Sequence, residues 1–200
     1  GWQVAIHTQG DRAISETLDA FEKSGIPKNS RHRLEHCLLP SKKDIQRMAK
    51  LGVSPSFHIN HLWYYGEALE DHIIGRERTD KILPLKAAEN NSLIFSLHAD
   101  QPMFESDPLS LLHTAVNRKT RDGKIVGKSN KITVEQGLKS LTINAAWQIK
   151  MENKIGSIKP GKYADFVIID QNPMMVDPEK IKDIHVLQTI VSGNIIYKKD

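Results

Sequence analysis

Apolar and polar positions alternate over short stretches of this chain, then give way to helical spacing, and the exchange occurs four times. Trp2 to Thr8 reads as a strand, followed by a helix from about Asp11 to Ser24 with Ile14, Leu18 and Phe21 as its apolar stripe and Gly25 placed to end it. A second strand, Arg33 to Leu38, leads past Pro40 into Ser41-Lys42-Lys43-Asp44, a capping-box-like start for a helix with Ile45, Met48 and Ala49 inward. Gly52 introduces a third strand, Val53 to Ile59, and an aromatic segment from His61 to Gly66 and a charged helical stretch follow it. The fourth strand is Ser92 to Asp100. Phe95, Leu97 and Ala99 share one face there, and Ile94, Ser96, His98 and Asp100 share the other, which turns ionisable at its C-terminal end.

Four strands alternating with helices predict an α/β fold, with a parallel sheet or part of a barrel. Asp107-Pro108 opens a helix with Leu109, Leu112 and Val116 on one side, and Thr133 to Gln136 opens another that carries Val134, Leu138, Leu141 and Ala145. Between them, Asn117 to Asn130 is polar and basic, which predicts a mobile surface loop. The texture changes beyond Lys150. Gly156, Pro160 and Gly161 punctuate, Phe166 to Ile169 reads as a strand, and Val186 to Val191 pairs with Ile195 to Tyr197 across Ser192-Gly193-Asn194. The expected division is 1–150 and 151–200, the second part being a small β domain.

Composition changes this picture little. A hydrophobic content of 39%, a charged content of 26% and a net charge of +4 describe an ordinary globular chain without a basic tract dense enough for nucleic acid. The lone Cys37 excludes an internal disulfide, and no apolar run reaches membrane-spanning length, so a cytoplasmic location is expected. Gly1 to Ile6 reads as the middle of a domain, and a portion of a longer protein is expected.

The chemistry gathers at strand ends. Alternation groups Gln3, Ala5 and His7; His32, Leu34 and His36; and Ser54, Ser56 and His58. Parallel strands present their C-terminal ends to one edge, so His7, His36, His58 and Asp100 should converge where α/β barrels carry active sites. Imidazoles and a carboxylate on separate rigid strands suit a catalytic divalent metal, zinc by default, with Asp100 as ligand and proton shuttle. A bland reading stands beside each: a histidine at a strand end is often a hydrogen-bonded structural residue. Cys37 is expected as a small buried hydrophobe, not a nucleophile. His61, Trp63, Tyr64 and Tyr65 line a pocket or form a packing patch, and Arg12 is a substrate clamp or an ion pair supporting its loop.

Val4-Ala5-Ile6-His7-Thr8-Gln9-Gly10-Asp11-Arg12-Ala13, Arg31-His32-Arg33-Leu34-Glu35-His36, Leu97-His98-Ala99-Asp100-Gln101-Pro102 and the tail Gly156 to Val167 resemble the metal-dependent amidohydrolase superfamily, in the branch that includes N-substituted formamide deformylases. The resemblance implies the C-terminal half of a TIM-type (β/α)8 barrel, strands five to eight, with part of a β-sandwich. It implies His7 and His36 as fifth- and sixth-strand metal ligands, and Asp100 as eighth-strand ligand and proton shuttle, with one or two metal ions. His61 falls where the branch carries a pocket histidine. His58, His61, His98 and Arg12 are the candidate substrate-binding residues, although His98 departs from the family's Gly-Ser-Asp and has no assigned role. The family's first-strand His-x-His and its bridging fourth-strand ligand have no counterpart here. The expected partners are therefore a small amide-type substrate and the missing N-terminal half of the barrel, or another copy of the chain. The expected activity is metal-dependent hydrolysis of a non-peptide carbon–nitrogen bond, the 200 residues alone being inactive. The alternative is a non-catalytic half-barrel that serves as an assembly module.

Overall fold

The computed structural model describes residues 1–199. Its frame is a four-stranded parallel sheet, β1 (Ala5–Thr8), β2 (Arg33–His36), β3 (Ser54–His58) and β4 (Ser96–His98), whose spatial order is its order in the chain. Each strand is shorter than its alternating stretch, because pairing stops where the chain bends toward a helix. Helices α1 (Asp11–Ser24) and α2 (Lys42–Leu51) make the first two crossovers. Gly25 ends α1 in the left-handed conformation, and Ser41 and Asp44 form the reciprocal capping box at the start of α2.

Helix α3 (Asn60–Ala68) begins directly after β3 and takes up the aromatic segment. The chain then passes through a π-helical turn at Leu69–Ile73, α4 (Arg76–Thr79) and α5 (Leu85–Asn90) before β4. After β4 come α6 (Pro108–Asn117), capped by Asp107, then α7 (Val134–Leu141) and α8 (Ile143–Gln148). In the tail, β5 (Phe166–Ile169), β6 (Val186–Val191) and β7 (Asn194–Lys198) form an antiparallel sheet. Ser192 and Gly193 both take positive φ at the β6–β7 turn, as a two-residue hairpin with the right twist requires. Among the described residues, no helix is long and apolar enough to cross a membrane.

Cross-strand register fixes the two faces of the parallel sheet. Leu34, Phe57 and Leu97 lie on the face covered by helices and join Ile14, Leu18, Ile45, Met48 and Leu62 in the main core. The opposite face carries Arg33, Glu35, Ser54, Ser56, Ser96 and, at its end, His58 and His98. That face looks into an open recess of about 830 Å³ whose far wall includes Leu138, Leu141, Ala145 and Ile158.

The segment from 117 to 130 is not the mobile loop its polarity predicts. Arg118 is fully buried and donates to the carbonyls of Val126 at 3.0 Å, Leu83 at 3.0 Å and Ile82 at 2.9 Å, while Val126 itself is buried. A guanidinium satisfies several inward-facing carbonyls at once, so one basic residue converts a polar stretch into packed structure. Burial pushes its pKa down, with Asp80 opposing, and it stays charged at neutral pH.

Candidate metal centre

Five imidazoles meet at the C-terminal edge of the parallel sheet. His36 lies 4.6 Å from His7, 5.6 Å from His58, 5.2 Å from His98 and 6.4 Å from His61, measured between ring centroids. His58 is also 4.0 Å from His61 and 5.0 Å from His98. His36, His58 and His98 each offer a ring nitrogen within 4.8 Å of the others.

His58 and His98 arrive by strand alternation, since they are in register at the ends of β3 and β4. His36 arrives by another route. Its strand neighbour Leu34 points into the helix-covered core, and alternation would send the His36 ring there too. Positive φ at His36 (73°) and Cys37 (45°) breaks the alternation and turns the imidazole to the site edge. Cys37 goes the other way, fully buried, with Sγ 3.5 Å from the Leu34 carbonyl oxygen, and burial raises its thiol pKa far above the reactive range. Asp100, just past β4, also takes positive φ (60°), and its charge acts on His36, His61 and His98.

The electrostatics favour neutral rings. Burial is the main cause that lowers His58 to about 2, His61 to about 4 and His98 to about 4, with mutual repulsion among the imidazoles adding to it. His36 is lowered too, first by burial and then by His7, with Asp100 and Glu35 opposing. Neutral imidazoles keep the lone pairs that a cation requires. Among the described residues, neither ring nitrogen of buried His58, nor Nδ1 of His61, has a hydrogen-bond partner. Orphaned buried nitrogens beside a carboxylate are a donor set suited to a divalent transition metal.

Arg12 is not brought to this group. It pairs with Glu16 at 2.7 Å on α1, its side chain 88% exposed. His61 is held at the site by Gln9, whose Nε2 lies 3.1 Å from His61 Nε2. Phe104 lies 5.3 Å from His58 and stacks on Tyr64 at 4.6 Å, with Tyr65 at 5.9 Å, so an aromatic wall flanks the histidines. Neither Gln9 nor Phe104 stands out in the sequence, because both sit in connections where no periodicity marks direction.

The amidohydrolase family model matches residues 1–197. The chain belongs to the amidohydrolase family. It is 28% identical over 201 residues to the N-substituted formamide deformylase of Arthrobacter pascens, covering 100% of this chain and 37% of that protein. It is 28% identical over 207 residues to the putative amidohydrolase YtcJ of Bacillus subtilis (strain 168), covering 100% of this chain and 38% of that one. The crystal structure of an uncharacterized metal-dependent hydrolase from Pyrococcus horikoshii OT3 superposes with a TM-score of 0.75 at 27% identity, covering 88% of this chain and 35% of that chain. The chain thus spans little more than a third of the length of these relatives.

Proposed function

We propose that this chain supplies one wall of the active site of a metal-dependent hydrolase acting on a non-peptide carbon–nitrogen bond, and that its four parallel strands are the fifth to eighth of a (β/α)8 barrel. The observation that carries this reading is the convergence of His7, His36, His58, His61 and His98 with Asp100 at one sheet edge. His7, His36 and Asp100 would hold the metal, zinc being the natural choice for nitrogen and oxygen donors. Bound there, such a cation supplies an acidified water and an electrophile for a carbonyl oxygen.

The remaining work falls to side chains. Asp100 takes a proton from the attacking water and hands it to the departing nitrogen, a role that its place beside the imidazoles supports. His61, steadied by Gln9, and His58 face the substrate, and Phe104, Tyr64 and Tyr65 give an apolar substituent a surface to lie on. The name of the Arthrobacter relative fits such a substrate, a small amide with a substituent on nitrogen. The other barrel half would close the recess in front of Arg33, Glu35 and Ser96.

The test uses the full-length protein. Metal analysis is expected to find bound zinc, and Asp100→Asn should lower kcat for amide hydrolysis by about 10²- to 10⁴-fold. Asparagine tolerates the left-handed backbone, so the loss reports chemistry instead of folding. Hydrolysis that survives both chelation and Asp100→Asn overturns the proposal.

A further inference from the structure

His58 is fully buried at the end of β3, and among the described residues neither of its ring nitrogens has a hydrogen-bond partner. An imidazole buried in this way has lost its hydration without gaining a protein partner, a state that native structures rarely keep unless something else claims the lone pair. A place facing the substrate does not account for it while no substrate is bound.

What surrounds His58 is more nitrogen. His98 stacks on it from β4 with ring centroids 5.0 Å apart, and His36 at the end of β2 lies 5.6 Å away. His98 Nε2 stands 3.2 Å from His36 Nδ1. Nitrogens that bind one zinc ion at about 2.0–2.1 Å in a tetrahedron stand about 3.3 Å apart, so one edge of such a tetrahedron is already formed. Each of the three residues offers a ring nitrogen within 4.8 Å of those of the other two. Closure by about 1.5 Å or less therefore brings all three to the tetrahedral spacing. The rings are carried on three neighbouring strands of one sheet, His58 and His98 in register. Ser56 Oγ, 2.7 Å from His98 Nδ1, belongs to a rotating hydroxyl that can donate to that nitrogen or accept from it, so it steadies the His98 ring in either tautomer. Burial keeps the three imidazoles neutral at neutral pH, as ligation requires.

We infer that His36, His58 and His98 form a three-imidazole site for a divalent transition ion such as zinc, a different seat from the set of His7, His36 and Asp100. A neutral imidazole carries one lone pair, so His36 serves one ion at a time and the two sets exclude one another. An ion on the trio also takes His58 away from any substrate. The inference goes beyond the hydrolase reading and does not need it, since it concerns where an ion sits and not what reaction follows.

Cobalt(II) titration of the full-length, metal-free protein tests it, because the visible bands of that ion report a tetrahedral nitrogen environment. The variant carrying both His7→Ala and Asp100→Asn is expected to bind one cobalt ion with such bands, and zinc should displace it. Adding His58→Phe, which keeps a ring of similar size and removes both nitrogens, should weaken binding about a hundredfold or more, beyond the loss that follows from removing an outer partner of a ligand. His98→Gln in the same background should do the same, and it keeps the test standing if His58→Phe fails to give a cooperative thermal unfolding transition. Binding in the His7→Ala, Asp100→Asn background that is unchanged by His58→Phe and by His98→Gln would overturn the site, as would no binding in that background at all. A cobalt ion held by the trio in a protein that hydrolyses no amide when metal-replete would instead sink the hydrolase reading and leave this site in place.

Discussion

His36 reaches the site through a left-handed backbone, and this decides how much of the centre could be read from residues alone. Alternation rightly sends His58 and His98 to a common edge, because both obey the regular pleat. It also groups His36 with Leu34, and Leu34 belongs to the core. The expectation that His36 joins the edge is met for a reason that no sequence pattern carries, since a non-glycine residue at positive φ leaves no periodic trace. The same holds for Asp100. Such backbone strain collects where a site must aim its groups. Acid provides a test at this scale. His58, His61 and His98 have folded pKa values well below the ordinary 6.5, so between those values and 6.5 the unfolded chain binds more protons. Stability therefore rises with pH across that window and is lost on acidification. Urea unfolding of the metal-free protein should show a loss of about 1–2 kcal/mol per buried imidazole between about pH 7 and about pH 5. A flat profile would mean that the rings are hydrated or already charged in the folded state.

At the scale of elements, the boundaries that carry a chemical signal were legible and the long-range anchors were not. Gly25, the Ser41–Asp44 capping box and Asp107-Pro108 announce helix ends locally and occur in the structure as read. The stretch after Asn117 reads as a mobile surface loop because its polarity is local, whereas the partners of Arg118 include carbonyls of residues 82 and 83, well upstream in the chain. Arg118→Met should destabilise the fold by about 3 kcal/mol or more, since it strands three carbonyls together. A denaturation midpoint within experimental error of the unaltered protein would show that water replaces the guanidinium. Gly52 makes a comparable demand at the end of α2. Its φ is 70°, and a Cβ there would lie 2.2 Å from the Lys28 carbonyl oxygen. Gly52→Ala is accordingly expected to lower the melting temperature by several degrees, a shift of at least about 1 kcal/mol.

For the whole molecule, the four-strand count and parallel order followed from the repeating pattern, because each strand is bracketed by helical spacing. The open recess did not, since apolar residues on its far wall read as ordinary helix interior. Leu138, Leu141 and Ala145 line that recess, and Leu138 and Leu141 also pack against the cluster of Leu112, Val116 and Ile181. Among the described residues, the outer edges of β1 and β4 lack strand partners within the sheet, and Trp2, Val4, Ile149 and Ile158 are exposed. Unpaired edges beside apolar surface invite association. Sizing chromatography of the 200-residue chain by itself should show concentration-dependent oligomers, and Val4→Lys at the β1 edge should reduce them. A monomer at all concentrations would count against an open sheet edge. The strand order has one more consequence. Because neighbours in the sheet are neighbours in the chain, β1, β2 and β3 can assemble one after another as synthesis proceeds. His98 and Asp100 enter with the last strand, so the histidine group exists only once the sheet is finished. A metal that prefers the complete group would stabilise the final docking step and none before it. Its binding would therefore mark the completion of folding of this sheet.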